Sequence, residues 1–257
     1  MTRRFCALVL GPLAALLALA SQGGCLFQQE LDPPFVVYAP YDAPRDLVYA
    51  VAPLRNESGV SVVDELAISD ELVAQLEQVI GVTTLPVNRS LEAMQALELP
   101  RITTPREARE LARTLGADAI VVGTITAWDP YEPPRLGMNL AIFSGTDDRE
   151  LAERTPFDLQ RSPTDQRRDV ATSWPLPATD EPLATASAVL DASNHMVVSR
   201  VRRYAFGRTE KGAAMGTDRW LMSMERYTEF CCFVLVEGLM DAERRRLARG
   251  QAAFAAR

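Results

Sequence analysis

The sequence predicts an α/β domain, in which helices pack on a small mixed sheet with a central strand near residues 118–127 and a long carboxy-terminal helix. Three observations predict this class. Leu115-Gly116 ends a helical pattern, because glycine readily adopts the left-handed conformation that terminates helices. Ile120-Val121-Val122 then forms an unbroken β-branched run, which is typical of a strand covered on both faces. The chain from Asp218 to about Arg249 has the longest helical periodicity.

Four further segments show strand patterns. The run from Leu47 to Pro53 is apolar throughout, which predicts a buried strand, and residues 82–87 predict a short second strand. Between these two, Asn56-Glu57-Ser58-Gly59 is typical of a turn. The alternation of apolar residues from Leu136 to Ser144 predicts an antiparallel partner of the central strand. Residues 184–190 predict a last strand that returns the chain to the sheet.

The first helix is predicted to span about residues 63–79, followed by a glycine stop. Its inward face is expected to consist of apolar residues at helical spacing. These are Leu66, Val73, Leu76 and Ile80.

Capping residues locate the other helices. Asn88 is the expected cap of the second helix. Thr104 is followed by Pro105 at the first helical position and by Glu107 at the third, which is the pattern of a capping box. A later helix is expected to begin at Asp191-Ala192-Ser193 and to end near Phe206.

The chain divides into five segments on these patterns. Residues 1–24 are predicted to be a signal peptide, and residues 25–45 a lipid anchor and flexible, proline-containing tether. Residues 46–145 form the α/β core. Residues 146–183 are rich in charge and proline and lack apolar periodicity, so we expect a poorly ordered insert. Residues 184–249 supply the returning strand and the carboxy-terminal helices.

The amino terminus has the layout of an export signal. Arg3 and Arg4 precede a largely apolar run, residues 5–20, which is short for a membrane span. Small residues then precede Cys25, and this arrangement resembles a bacterial lipobox, although Gln22 stands where leucine is usual. The resemblance implies that the Cys25 thiol is acylated after cleavage. Two alternatives stay open, namely ordinary cleavage after Ala18-Leu19-Ala20 and an uncleaved anchor.

An acylated cysteine predicts a palmitate-bearing lipoprotein of the bacterial cell envelope that faces the periplasm. Leu26 follows Cys25. An aspartate at that position would resemble an inner-membrane retention signal, so its absence favours the outer membrane over the inner one.

The sequence shows no arrangement of residues typical of catalysis. It contains no phosphate-binding loop, nucleophile elbow or zinc-binding helix motif. The single histidine, His195, has no evident partner, and Cys231 and Cys232 lie in an apolar helical pattern that indicates buried residues. We therefore expect no catalytic residue, no metal and no cofactor. The net charge of −7 argues against nucleic acid as a partner.

The loop that follows the central strand is the one candidate for partner binding. Trp128 and Tyr131 belong to the loop from Trp128 to Pro134, whose prolines would hold aromatic side chains in place at low entropic cost. The alternative is that both aromatic side chains fold back onto the domain.

Two segments carry a resemblance to known proteins, namely Val48-Tyr49-Ala50-Val51-Ala52-Pro53-Leu54-Arg55-Asn56 and Gly116-Ala117-Asp118-Ala119-Ile120-Val121-Val122-Gly123-Thr124-Ile125. Together with the lipobox and the element order, they resemble bacterial envelope proteins with an anticodon-binding-domain-like α/β fold. That group includes the curli secretion lipoprotein, the lipoprotein activator of penicillin-binding proteins and the amino-terminal domain of TolB. The resemblance covers residues 45–145 and extends to 184–207.

The sequence thus favours a non-enzymatic, lipid-anchored binding or assembly module of an envelope complex. Its expected partners are the membrane, through the lipid, and an envelope protein. The alternatives are a subunit of an oligomeric secretion or transport channel and an envelope enzyme with an unrecognised site. The sequence does not predict the oligomeric state.

Overall fold

The computed structural model describes residues 36–41, 46–145, 181–209 and 215–255. All of them belong to one compact unit, Pro34–Arg257. The strands of the described part are β1 (Leu47–Val51), β2 (Arg55–Asn56), β3 (Val82–Thr84), β4 (Ala119–Asp129), β5 (Arg135–Ser144) and β6 (Ala184–Asp191). The helices are α1 (Glu65–Glu77), α2 (Val87–Ala96), α3 (Pro105–Leu115), α4 (His195–Phe206), α5 (Arg219–Met222) and α6 (Met224–Ala255).

The sheet is mixed, and β4 is its central strand. Its order is β3-β1-β4-β5-β6, and β2 continues along β4 on the side of β1. The pairs β1–β3, β1–β4 and β2–β4 are parallel, whereas β4–β5 and β5–β6 are antiparallel. The predicted α/β class, central strand, antiparallel partner and returning strand are therefore confirmed.

Helices cover both faces of the sheet, but unequally. On one face α1 and α6 bury the larger core, in which Tyr49, Val121 and Ile142 pack against apolar side chains of the two helices. On the other face α2 and α3 bury a smaller core around Ile120 and Phe143.

Gly123 permits a close approach in the middle of β4. A Cβ atom there would lie 2.4 Å from Leu140 Cδ2, 2.7 Å from the Asn139 carbonyl oxygen and 3.0 Å from Leu54 Cδ2. Distances under 3 Å are steric overlaps, so only glycine allows Leu54 and Leu140 to pack directly over the strand.

The predicted capping box at the start of α3 is confirmed. The Thr104 hydroxyl accepts a hydrogen bond from the Glu107 N–H at 3.2 Å, and the Glu107 carboxylate accepts one from the Thr104 N–H at 2.9 Å. Gly116 ends the helix in the left-handed conformation, with φ of 67°. Both ends of α3 are thus set by local residues.

The predicted inward face of α1 is wrong at Leu66 and Ile80, which are 44% and 53% exposed. The buried stripe consists instead of Ile68, Leu72 and Leu76. These three residues are four apart and so share one helix face, whereas Leu66 lies two residues before Ile68 and points to the opposite side. Ile80 lies beyond the end of the helix.

Three other local predictions differ from the structure. Asn88 does not cap the second helix, because α2 begins at Val87 after Pro86. Residue Asn56 is not part of a simple turn, since β2 pairs it in parallel with Ile125. The long carboxy-terminal helix does not begin at Asp218, because Ser223 has an extended backbone that separates α5 from α6.

An amino-terminal strap, residues 36–41, is attached to the domain. The Ala39 N–H donates to the Ile80 carbonyl at 2.9 Å, and the Ile80 N–H donates to the Val37 carbonyl at 3.0 Å. Val37, Ala39 and Tyr41 pack against the larger core. These six residues lie within the range that the sequence pattern predicts to be a tether. Cys25 and residues 146–180 of the predicted insert lie outside the described residues.

Candidate binding groove

The two sequence segments that carry the resemblance are neighbours in the sheet. Tyr49 of β1 lies opposite Ala119 of β4, and Asn56 of β2 lies opposite Ile125. Asp118 joins them, because its Oδ2 atom accepts a hydrogen bond from the Val48 N–H at 2.8 Å. This contact gives the aspartate before the central strand a structural role.

A groove with a volume of 420 Å³ opens where β1 gives way to β2, beside the loop that joins α2 to α3. Its lining comes from sequence-distant parts of the chain that the fold brings together. The lining comprises residues 52–56, Glu65, Met94, residues 100–105, residues 122–124 and Phe143.

One wall of the groove is held by the loop after Asn56. The Asn56 Nδ2 atom donates to the Val60 carbonyl at 2.7 Å, and its Oδ1 atom accepts from the Ser58 N–H at 3.0 Å. The Glu57 N–H donates to the Ile125 carbonyl at 2.8 Å. Since the Asn56 amide is engaged on both sides, it fixes the backbone of this loop rather than pointing a free group into the groove.

The opposite wall is held by Glu107. Its Oε2 atom accepts hydrogen bonds from the Thr103 N–H at 2.7 Å, the Thr103 hydroxyl at 2.8 Å and the Thr104 N–H at 2.9 Å. These bonds keep the pKa of the Glu107 carboxyl below its usual range, because they stabilise the ionised form. The groove is therefore bounded by two pre-formed loops.

The groove combines an apolar floor with a cationic rim. Its floor is apolar where Met94 and Phe143 are buried, and its rim carries exposed cations at Arg55 and Arg101. Arg55 forms an ion pair with Glu57. Among the described residues that line it, Glu65 is the only carboxylate, and there is no histidine or cysteine to serve as a base or nucleophile.

The described part of the chain holds no group of three or more histidine, cysteine or acidic side chains placed to bind a metal ion. No helix in these same residues combines the length and the apolar character needed to cross a bilayer.

The structure places the two aromatic residues that were predicted as a docking site in different environments. Trp128 lies at the end of β4 opposite Leu136 and packs against the larger core. Tyr131 is 81% exposed in the loop that follows. Trp128 thus folds back onto the domain, as the alternative interpretation expects, and Tyr131 alone is displayed. Partner binding at this loop stays a prediction.

The remaining candidates have structural roles or are solvent-exposed. Cys231 and Cys232 are free, fully buried thiols in α6, and burial raises the pKa of both well above the usual range. They are consequently unreactive packing residues. His195 is exposed at the first position of α4. Lipidation of Cys25 stays a prediction, since that residue lies outside the described part of the chain.

Sequence reasoning missed the groove itself. Local sequence patterns assign the residues of the groove to a strand, a turn and a connection between helices. None of these assignments indicates a binding site. The proline-bounded run from Pro100 to Pro105, directly before a capping box, was the one local sign of an ordered loop. Nothing local shows that this loop faces Val122 and Phe143, because that contact depends on the sheet order.

The similarity of this chain to known proteins lies in its structure. No family model and no curated protein matches the sequence. Sixteen solved chains match the structure. They include the LpoB C-terminal domain from Salmonella enterica, at 15% identity and a TM-score of 0.37, over 56% of this chain and 82% of that one.

Two further structural matches extend this result. Lipoprotein GNA1162 from Neisseria meningitidis matches at 16% identity and a TM-score of 0.37, over 60% of this chain and 93% of that one. The hypothetical protein CT253 from Chlamydia trachomatis matches at 14% identity and a TM-score of 0.36, over 77% of this chain and 99% of that one. Bacterial envelope lipoproteins are thus among the structures that this chain is similar to.

Proposed function

We propose that the protein is a non-enzymatic, lipid-anchored binding module of a bacterial envelope complex. The observation that carries the proposal is Cys25, which follows an apolar export segment and a run of small residues. An acyl chain on this cysteine holds the module at the periplasmic face of a membrane, and the outer membrane is the proposed one because Leu26 replaces the aspartate of a retention signal.

The groove supports the binding part of the proposal. Its two walls are held by the hydrogen bonds of Asn56 and Glu107, so a partner segment would meet a site that needs little reorganisation. Its floor offers apolar contact and its rim offers arginines, the combination that commonly recognises an extended protein segment with apolar and acidic side chains. The lining lacks a paired nucleophile and base, which favours binding over catalysis.

The anchor is tested by metabolic labelling with palmitate and by membrane fractionation. The parent chain should incorporate the label and sediment with membranes, whereas Cys25→Ser should lose the label. The anchor is refuted if the parent never incorporates palmitate and Cys25→Ser still fractionates with membranes in the same amount.

The groove is tested separately by a photo-cross-linking residue at position 101 on its rim. We expect a discrete envelope-protein adduct that disappears when Thr124→Arg fills the groove. A cross-linker at position 203, an exposed site on α4, is the matched control. Identical adducts at both positions, or an adduct that survives Thr124→Arg in the folded protein, would remove the groove from the proposal.

A further inference from the structure

An exposed apolar patch lies on the outer side of the strap. Tyr38 pairs in parallel with Ile80, so the two side chains lie on the same side of the backbone pair, and Val36 lies on that side two residues earlier. Val36, Tyr38 and Ile80 are 45%, 57% and 53% exposed. The alternate residues Val37 and Ala39 face the core. The strap is thus apolar on both sides, although only one side is buried.

The basic end of α6 lies against this patch. Arg244 Nη2 donates to the Tyr38 carbonyl at 3.2 Å, which joins residues 206 positions apart. From residue 244 to residue 257 the sequence holds five arginines and no acidic residue, although the whole chain has a net charge of −7. Arg244, Arg245 and Arg249 are exposed, and Arg244 also forms an ion pair with Asp241, which leaves Arg245 and Arg249 as the cations of this end that carry the surface charge. The fold therefore places positive charge next to exposed apolar and aromatic side chains.

This surface is also next to the predicted anchor in the sequence. Val36 lies eleven positions after Cys25, and an extended chain covers about 3.3–3.6 Å per residue, so the two are at most about 40 Å apart. The stretch from Pro33 to Tyr41 carries no charged side chain. A surface that follows a lipid anchor so closely has a bilayer within its reach.

We propose that Val36, Tyr38 and Ile80, together with Arg244, Arg245 and Arg249, form a docking face for an anionic phospholipid surface. The inference rests on the proposed lipid anchor. Tyrosine is favoured at the water–lipid boundary, where its ring meets acyl chains and its hydroxyl meets water. Exposed arginines at the end of α6 that Arg244 joins to the strap attract anionic headgroups. The face would orient the module on the membrane, whereas the acyl chain alone would leave it free to turn.

The test uses the lipidated protein, cleaved before Cys25, in vesicles of phosphatidylcholine with phosphatidylglycerol. A spin label is attached to the variant Val36→Cys. It reacts at position 36 alone, because Cys231 and Cys232 are buried and Cys25 is acylated. The label at position 36 should collide with oxygen, which concentrates in lipid, and be shielded from a water-soluble nickel reagent. A label placed by Tyr131→Cys, 81% exposed in the β4–β5 loop, should show the reverse.

Charge removal supplies the second arm. Arg245→Gln with Arg249→Gln should weaken docking about fivefold per arginine, and should move the position-36 label toward water without releasing the protein from vesicles. Arg203→Gln with Arg219→Gln, an exposed pair on α4 and α5, is the matched control and should have no effect.

The outcomes separate the two proposals. Vesicle retention reports the lipid anchor, and the spin label reports the docking face. A retained, palmitate-bearing protein whose position-36 label is as accessible to nickel as the position-131 label overturns the docking face and leaves the anchor standing. A chain that is never acylated overturns the anchor.

Discussion

Arg246 donates two hydrogen bonds of 2.6 Å each to the carboxylate of Glu243, a side chain that is completely buried. Tyr41 from the strap donates to the same carboxylate at 3.1 Å, and its hydroxyl lies 2.6 Å from that of Tyr49 on β1. Burial raises the pKa of both tyrosines, so both hydroxyls stay protonated. The network joins the strap, the sheet and the end of α6.

Arg246→Met should destabilise the protein by about 3–5 kcal/mol, because it leaves a buried carboxylate without its cation. Adding Glu243→Leu to that variant should restore much of the loss, since the double variant buries no charge. Urea unfolding measures both free energies. Arg89→Met, which breaks the exposed Arg89–Glu92 pair, is the control and should cost less than about 1 kcal/mol. A double variant as unstable as Arg246→Met would contradict this account.

Gly123→Ala should destabilise the fold by about 1–3 kcal/mol, because the new methyl group overlaps Leu140 and the Asn139 carbonyl oxygen. Thermal unfolding measures the change. Gly207→Ala is the matched control, since a Cβ there meets no atom within 4 Å. Equal melting temperatures for the two variants would show that β4 can shift to admit the methyl group.

Glu71 should make stability depend on pH. Burial raises the pKa of its carboxyl, although Gln75 Nε2 donates to it at 2.9 Å. A carboxyl whose pKa is raised by folding contributes stability below its ordinary pKa, and that contribution is lost as the pH rises through the raised value.

Glu71→Gln should therefore be more stable than the parent at pH 7, with an advantage that vanishes below about pH 4. Denaturant unfolding across this range measures the difference. Glu77→Gln, at an exposed position on the same helix, is the matched control. A Glu71→Gln advantage that grows on acidification would contradict the assigned direction.

Substitutions of Trp128 and Tyr131 should have different effects, the first on stability and the second on partner binding. Trp128→Ala should cost about 2 kcal/mol or more, because the indole packs against the core, whereas Tyr131→Ala should leave stability unchanged. Docking of a partner at this loop predicts that Tyr131→Ala reduces the yield of partner adduct formed by a photo-cross-linking residue at position 132. Undiminished cross-linking by the folded Tyr131→Ala variant would refute docking at this loop.

Local sequence signals predicted the elements that local contacts define. The Thr104–Glu107 box and Gly116 act within one turn of their own helix, and the β-branched run in β4 suits a buried strand wherever it lies. The inward-facing residues of α1 were predicted incorrectly. Leu66 and Ile68 are both apolar, and packing against the rest of the larger core decides which of them is buried.

Local patterns in the sequence are enough to predict the α/β class, the central strand, the capped helix that precedes it and an amino terminus with the pattern of an acylated export signal. The contacts between residues distant in sequence become visible only in the folded chain. Glu243 has an ordinary helical context, yet Tyr41, 202 positions away, completes its buried network. The groove and the contact of Arg244 with Tyr38 have the same origin. Such contacts depend on the order of the strands and the docking of the helices. Both follow from the burial of apolar surface over the whole chain, so no local sequence pattern predicts them.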